Sequence, residues 1–288
     1  MEPKAPIKLD WDIHYSCNYN CPYCWFHNQW GPKALLNVYP GTEKLIGYWR
    51  AIYDKCGRVQ LSIGGGEPFT YPGFHEFVIE CAKLHKIYVT TNLSGNPQLF
   101  AGKVDPANLS FAASLHPVHA KFEEFSAKAA AVKKAGFQIK AVLVAWPPFL
   151  KDMQSYKRQL NDLGLELEVH SFWGNFEGRE YPDAYTKQER ELLAPFLGSR
   201  SGTSEKFQLT PKATTGKLCR AGQVHASIYP NGDVVRCGGE GWKRDQRPFT
   251  NIFSEDFQLY KEPQPCRAIA CPSNEWAEFL VEDAHDCD

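Results

Sequence analysis

Three cysteines near the start of the chain are spaced closely enough to bind one metal group. Cys17, Cys21 and Cys24 are separated by three residues and then by two. A [4Fe–4S] cluster normally takes four cysteine thiolates, so a loop with three would leave one iron able to bind another molecule. Zinc is the alternative, because His14 or His27 could supply a fourth ligand to a closed zinc site. The spacing favours the iron–sulfur interpretation.

The cysteines follow residues 8–14, in which apolar and polar side chains alternate as in a β-strand. A Cys-x3-Cys-x2-Cys motif after a first strand, with the aromatic Tyr23 before its last cysteine, resembles the signature of the radical S-adenosylmethionine (radical SAM) superfamily. The resemblance implies that SAM binds the open iron, with Tyr23 in the cofactor site. One-electron reduction would then split SAM into methionine and a 5′-deoxyadenosyl radical.

A run of glycines ends the next predicted strand. Glycines at such a position let the backbone approach a ligand closely, although a plain tight turn explains them equally well. One β–α unit after the cysteines, the run resembles the Gly-Gly-Glu motif of the superfamily. The resemblance implies that Gly65, Gly66 and Glu67 receive the ammonium group of SAM.

Further polar residues end the third and fourth predicted strands. Asn92 resembles the family residue that lies near the ribose or methionine end of SAM, although it could merely begin a turn. Ser114 resembles the serine of a Ser-x-Asp pattern found in many relatives, in which that serine lies near the SAM carboxylate or ribose. His116 stands where relatives have the aspartate, and we assign it to the same cofactor site as a hypothesis.

Six predicted strands alternate with helices along the first two thirds of the chain. The strands cover residues 8–14, 58–63, 86–92, 108–116, 137–145 and 165–170. This alternation predicts an α/β fold with a parallel sheet and right-handed crossovers. Relatives form a partial (β/α)6 TIM-like barrel, and sites in such barrels lie at the carboxyl ends of the strands. The cofactor residues named above would therefore share one rim.

A second group of cysteines lies near the end of the chain. Cys219 and Cys237 flank a predicted hairpin with Asn231-Gly232 at its turn, and Cys266 and Cys271 follow. Zinc, a second [4Fe–4S] cluster and two disulfides all satisfy a count of four cysteines. Disulfides are disfavoured in a reducing cytoplasm, so metal binding is the preferred interpretation.

The pattern Cys-x12-Gly-x4-Cys resembles the hairpin of the SPASM/Twitch extension, which implies an auxiliary [4Fe–4S] cluster. Cys266 and Cys271 are separated by four residues, wider than the usual pair, and Cys287 could replace one of them. The glycine- and serine-rich segment after residue 198 has the composition of a linker. We therefore predict a radical SAM barrel over residues 1–198 and a small auxiliary-cluster domain over residues 199–288.

Composition and charge restrict the partners and the compartment. The 288 residues carry a formal net charge of −1, which offers no electrostatic basis for binding nucleic acid or an anionic membrane. The N-terminus lacks the apolar region of a signal peptide, and no apolar run could span a bilayer. We expect a cytoplasmic protein. The resemblance implies flavodoxin or ferredoxin as the reductant.

The leading hypothesis is an enzyme that removes hydrogen from a substrate C–H bond and completes an oxidation, either a dehydrogenation or a bond formation. Hydrogen return would instead give epimerisation or rearrangement, and a non-catalytic zinc protein is the alternative from another class. No peptide-binding domain precedes the first strand, which tilts the expectation slightly toward a small molecule or carbohydrate over a peptide. Substrate identity, the net reaction and the oligomeric state are not predicted.

Overall fold

The computed structural model describes residues 6–27, 29–197, 212–238, 247–268, 270–271 and 279–281. Six strands form the main body of its largest sheet, and each pairs in parallel with its neighbours in chain order. They are β1 (Lys8–His14), β2 (Gln60–Gly65), β3 (Lys86–Thr91), β4 (Leu109–Ser114), β5 (Gln138–Ala145) and β6 (Leu167–Ser171). The predicted parallel α/β barrel is confirmed.

Six α-helices of the described residues lie between or after these strands. They are α1 (Trp30–Ala34), α2 (Thr42–Cys56), α3 (Phe74–Cys81), α4 (Phe122–Lys134), α5 (Met153–Asp162) and α6 (Lys187–Leu197). The helices cover the outer face of the sheet, where Leu9, Trp11 and Ile13 of β1 are at most 2% exposed. Trp11 packs against Trp49 of α2 with ring centroids 5.5 Å apart. Burial of this apolar face supplies the main stabilisation of the barrel.

The inner face of the sheet is polar, because successive side chains of a strand point to opposite faces. Lys140 of β5 forms an ion pair with Glu168 of β6, and its ammonium group lies 5.7 Å from the ring centroid of Tyr88. His170 Nε2 lies 2.8 Å from Glu168 Oε1. Hydrogen bonds from His170 and Lys140 lower the pKa of Glu168 to about 2, despite the opposing effect of burial. The inside of the partial barrel therefore carries charged groups that could bind a polar substrate.

The connection after β6 contains a short hairpin. Its strands are β7 (Gly174–Phe176) and β8 (Arg179–Tyr181), which pair antiparallel. Glu177 and Gly178 both have positive φ at the turn, as in the tight turns that join hairpin strands. The sequence signal here was weak because each strand has three residues.

The structure describes seven short C-terminal strands, of which three extend the main sheet beyond β1 and four form two separate two-stranded sheets. They are β9 (Lys212–Ala213), β10 (Leu218–Cys219), β11 (His225–Ile228), β12 (Asp233–Val235), β13 (Thr250–Asn251), β14 (Gln264–Pro265) and β15 (Ala270–Cys271). The sheet order is β13-β12-β11-β1-β2-β3-β4-β5-β6, and β11 runs parallel to β1. The predicted hairpin is confirmed, with Gly232 at φ +84° in the turn between β11 and β12. Its attachment to β1 was not predicted.

The predicted domain boundary falls at residues 198–199, which lie outside the described residues, and the division into two domains stays a prediction. None of the described helices combines the length and the continuous apolar surface that a bilayer crossing requires.

Candidate functional site

The three N-terminal cysteines lie in the loop that follows β1. Cys17 is exposed, Cys24 is half-buried and Cys21 is buried. Burial raises the pKa of the Cys21 thiol to about 12, opposed by a hydrogen bond from Tyr23 and reinforced by the charges of Cys24 and Cys17. Burial raises the pKa of Cys24, opposed by the hydrogen bond from the Phe26 N–H and reinforced by the charge of Cys17. The three thiols are therefore close enough to influence one another electrostatically.

The donor chemistry of this loop fits a thiolate-bound iron cluster. The Tyr19 backbone N–H donates to Cys17 Sγ and the Phe26 N–H donates to Cys24 Sγ, each at 3.4 Å. Such N–H···S bonds stabilise negative charge on sulfur. The nine cysteines that the structure describes form no disulfide. Among all residues that the structure describes, no three His, Cys, Asp or Glu side chains are already arranged around one metal position. The fit therefore rests on the donor set.

The glycine pair at the end of β2 packs directly against the cysteine loop. The Gly66 N–H donates to His14 O at 2.6 Å, and the Glu67 N–H donates to Ser16 O at 3.0 Å. A Cβ atom on Gly66 would lie 1.9 Å from Ser16 O, so no larger residue fits without a backbone shift. Gly65 has φ +98°, which also favours glycine. The pair holds the loop in place, and its predicted contact with SAM stays a prediction.

Glu67 joins the ends of β2 and β3. Its side chain is 1% exposed. Its Oε1 accepts hydrogen bonds from Thr91 Oγ1 at 2.7 Å and from the Phe69 N–H at 3.1 Å, and its Oε2 accepts one from the Asn92 N–H at 2.7 Å. Burial raises the pKa of Glu67, and these hydrogen bonds oppose that effect. The carboxylate thus supports the rim, and its predicted role toward the SAM ammonium stays a prediction.

Asn92 connects β3 to the cysteine loop. Its Nδ2 donates to Asn18 Oδ1 at 3.0 Å, while its Oδ1 accepts a hydrogen bond from the Ser94 N–H at 2.8 Å. Asn92 therefore begins a turn, as the plain interpretation expected, and also contacts the cysteine loop. Ser114 is half-buried at the end of β4. The SAM contacts predicted for Asn92 and Ser114 stay predictions.

His116 and Tyr23 meet directly over the cysteine loop. His116 Nδ1 lies 3.1 Å from Tyr23 Oη and 3.4 Å from Cys21 Sγ. Their rings stack with centroids 5.8 Å apart. Burial lowers the pKa of His116 to about 4, helped by the charge of His119, so its imidazole is neutral near pH 7. The structure therefore places His116 against a cysteine thiol, and its predicted contact with SAM stays a prediction.

An aromatic wall that the sequence analysis did not assign continues from Tyr23. Trp146 and Phe149, just after β5, lie 5.2 Å and 5.1 Å from the Tyr23 ring. Phe176 of the β7–β8 hairpin lies 5.1 Å from Trp146. Trp146-Pro147-Pro148 was the available sequence signal, since it ends a strand at the rim where such barrels bind ligands. This wall could hold the flat face of a ligand.

Three of the C-terminal cysteines share one apolar cluster. Cys219, Cys237 and Cys266 belong to one apolar cluster with Phe279. The Ala221 N–H donates to Cys219 Sγ at 3.4 Å, and Thr214 Oγ1 lies 3.4 Å from Cys266 Sγ. Cys271 lies on β15, which pairs with β9. Cys287 lies outside the described residues. The cluster thus contains three of the four predicted ligands.

One carboxylate lies between the two cysteine regions. Asp12 of β1 accepts a hydrogen bond from Tyr15 Oη at 2.7 Å. Desolvation raises the pKa of Asp12 to about 6, although Tyr15 and Lys33 oppose the shift. Tyr229, which follows β11, has its pKa raised to about 12 by burial and then by the charges of Asp12 and Cys237. The pairing of β11 with β1 therefore connects the two regions electrostatically.

Comparison by sequence identifies the N-terminal part of the chain. Residues 12–104 match the profile of the Radical SAM superfamily. The mycofactocin maturase MftC of Mycobacterium ulcerans (strain Agy99) is 26% identical over 261 residues, which cover 81% of this chain and 68% of the relative. MftC of Mycolicibacterium smegmatis is 26% identical over 304 residues, covering 92% and 75%.

Comparison by structure finds the same fold in solved proteins. Streptococcus suis SuiB bound to S-adenosylmethionine aligns with TM-score 0.64 and 16% identity, over 88% of this chain and 64% of SuiB. Native anSMEcpe with bound AdoMet aligns with TM-score 0.61 and 15% identity, over 96% and 83%. SuiB has also been solved with the precursor peptide SuiA, and anSMEcpe with the Kp18Cys peptide. This chain spans less than two thirds of SuiB.

The cysteine motif, the parallel barrel and these comparisons agree. The superfamily implies a SAM-binding [4Fe–4S] cluster, and relatives of the maturase type imply auxiliary clusters. We conclude that residues 12–104 match the Radical SAM superfamily, and that the chain as a whole is similar to mycofactocin maturases in sequence.

Proposed function

We propose that this enzyme cleaves SAM reductively and uses the 5′-deoxyadenosyl radical to remove a hydrogen atom from a peptide substrate. The three-cysteine loop after β1, held by Gly66, is the observation that carries the proposal. The profile match over residues 12–104 supports it, since the match includes both elements.

Cys17, Cys21 and Cys24 would hold the SAM-binding cluster. When bound, this cluster supplies the electron that splits SAM. The residues of the chain supply position and exclusion of water. Glu67 and Asn92 connect the second and third strands to the loop, while Tyr23 and Trp146 form an apolar wall beside it.

The C-terminal region is proposed to hold an auxiliary [4Fe–4S] cluster. Cys219, Cys237 and Cys266 would be ligands, with Cys271 or Cys287 as the fourth. A second cluster can accept an electron, which suits net oxidation of the substrate. Division into a barrel over residues 1–198 and an auxiliary domain over residues 199–288 belongs to this proposal. Flavodoxin or ferredoxin is the proposed reductant.

A peptide is the proposed substrate class. The relatives by sequence are named maturases of mycofactocin, and two solved proteins of this fold were crystallised with peptides. These findings outweigh the slight expectation of a small molecule or carbohydrate. Inside the barrel, Lys140, Glu168 and His170 offer charged groups of both signs, which suits the amide and charged groups of a peptide.

The test is anaerobic turnover of the reconstituted protein with SAM, dithionite and peptides encoded beside its gene. We expect 5′-deoxyadenosine together with a peptide that has lost two hydrogens. Epimerisation would leave the mass unchanged in H2O and add one deuterium in D2O. The Cys17→Ala variant is the control. A protein that binds zinc and releases no 5′-deoxyadenosine would refute the proposal.

A further inference from the structure

The loop between β4 and α4 carries two histidines that contact the cysteine loop. The His119 ring stacks on Tyr19, with centroids 4.6 Å apart at an interplanar angle of 17°. The His116 ring contacts both Tyr19 and Tyr23, with each pair of centroids 5.8 Å apart. Of the two histidines, His116 is the one whose ring nitrogen lies within hydrogen-bond distance of a cysteine sulfur.

The backbone around His116 is well anchored. The N–H groups of His119 and Ala120 donate to His116 O at 2.9 Å and 3.0 Å. One residue earlier, the Leu115 N–H donates to Val142 O of β5 at 2.8 Å. These backbone hydrogen bonds to the barrel therefore fix the position of the His116 ring next to Cys21.

Two groups share the Nδ1 atom of His116, and their chemistry decides which one carries the proton. Cys21 Sγ lies 3.4 Å away and Tyr23 Oη lies 3.1 Å away. A protonated thiol can donate to the ring nitrogen, but a metal-bound thiolate can only accept. Binding of a cluster by Cys21 therefore favours the tautomer with the proton on Nδ1.

We infer that His116 is a positioning residue of the SAM-binding cluster, whose Nδ1–H donates a hydrogen bond to the Cys21 thiolate. The inference rests on the proposed ligand role of Cys21. Hydrogen bonds to cluster sulfurs favour the reduced state, because reduction adds negative charge next to the donor. His116 thus makes the cluster easier to reduce.

The experiment is an EPR-monitored redox titration of the reconstituted protein, in which the cluster that responds to added SAM is followed. His116→Phe keeps an aromatic ring but removes the donor, and His116→Asn restores an N–H near the Nδ1 position. His119→Phe is the matched control, because it keeps a ring on Tyr19 and, among the described residues, His119 forms no hydrogen bond to a sulfur. We expect His116→Phe to lower the reduction equilibrium constant about tenfold, equivalent to about 59 mV for one electron. His116→Asn should recover most of the loss, and His119→Phe should match the wild type.

A second measurement uses the wild-type protein and needs no variant. Pulsed EPR of the reduced protein labelled with 15N-histidine should show a weakly coupled nitrogen. Absence of this coupling, an unchanged potential in His116→Phe, or an equal shift in His119→Phe would overturn the inference. Failure of His116→Asn to recover the potential would also overturn it, since ring packing would then be the cause. A wild-type protein without any SAM-responsive cluster would instead refute the proposed function.

Discussion

The two cysteine regions differ in how the chain brings their thiols together. Cys17, Cys21 and Cys24 lie within one loop, so their sequence spacing alone keeps them close. Cys219, Cys237 and Cys266 are far apart in sequence and meet through the β11–β12 hairpin and the pairing of β10 with β14. The first ligand set is encoded locally, whereas the second depends on tertiary structure. Errors in ligand prediction are therefore expected in the second region.

The sharpest test of this comparison is the loss of one cysteine from each region. Cys17→Ala should reduce 5′-deoxyadenosine formation to the level of a protein-free control, because SAM loses its metal site. Cys219→Ala should keep SAM cleavage but lose the modified peptide. Cys56→Ala, at the end of α2 and outside both regions, should behave as the wild type. Equal loss of SAM cleavage in the first two variants would contradict separate roles.

Iron content should report the two regions independently. We expect about eight irons per wild-type chain, since each [4Fe–4S] cluster contributes four. Removing either the three N-terminal cysteines or both Cys219 and Cys237 should leave about four irons, measured by colorimetric analysis after anaerobic reconstitution. Loss of all iron on removal of the C-terminal pair would show that the N-terminal cluster cannot form alone.

The glycine at the base of the N-terminal loop should be far less tolerant than its neighbour. Gly66→Ala places a Cβ 1.9 Å from Ser16 O, so we expect the free energy of unfolding to fall by at least about 4 kcal/mol. Gly64→Ala is the matched control, because its Cβ would lie 4.0 Å from the nearest atom, the Cβ of Thr90. Chemical denaturation of both variants measures the difference. Similar stabilities would contradict the close approach of β2 to the loop.

The carboxylate between the two regions should make stability depend on pH. The folded protein raises the pKa of Asp12 from 3.8 to about 6 and so holds this proton more tightly than the unfolded chain. The free energy of unfolding should therefore fall as pH rises through this interval, by at most about 3 kcal/mol. Asp12→Asn should remove that decline.

The matched variant is Tyr15→Phe, which removes the hydrogen bond that lowers the Asp12 pKa. In this variant the decline should extend to higher pH. Denaturation curves collected between pH 4 and pH 8 measure all three proteins. An identical pH dependence in the wild type and Asp12→Asn would place the titrating group elsewhere.

Much of the barrel was predictable from sequence because periodicity and turn residues act locally. The first strand was predicted at residues 8–14 and is observed there, and the buried β5 differs from its prediction by one residue. The start of α2 is less predictable. Threonine is a common N-cap residue, but the cap here is Gly41 with φ +84°, and Thr42 is the first helical residue. Gly41 has no side chain that could form a capping hydrogen bond, so the sequence gives no clear signal that it begins the helix.

The candidate site also contains features that the local sequence indicated and contacts that it could not predict. The spacing of the cysteines indicated an iron–sulfur loop, and the glycine run indicated a close backbone approach. The object of that approach could not be predicted, because the contact between Gly66 and Ser16 joins two strand ends that are fifty residues apart. The contact of His116 with Cys21 could not be predicted from sequence either, because it depends on the register of β4 in the sheet.

By itself, the amino-acid sequence determined the parallel barrel and predicted the ligand types and the class of chemistry, because these follow from spacing and periodicity over a few residues. Tertiary structure alone decided that β11 lies beside β1, that Asp12 and Tyr229 lie between the two cysteine regions, and that His116 faces a thiol. Strand pairing and burial couple residues distant in the chain, and no local pattern records which partners they choose.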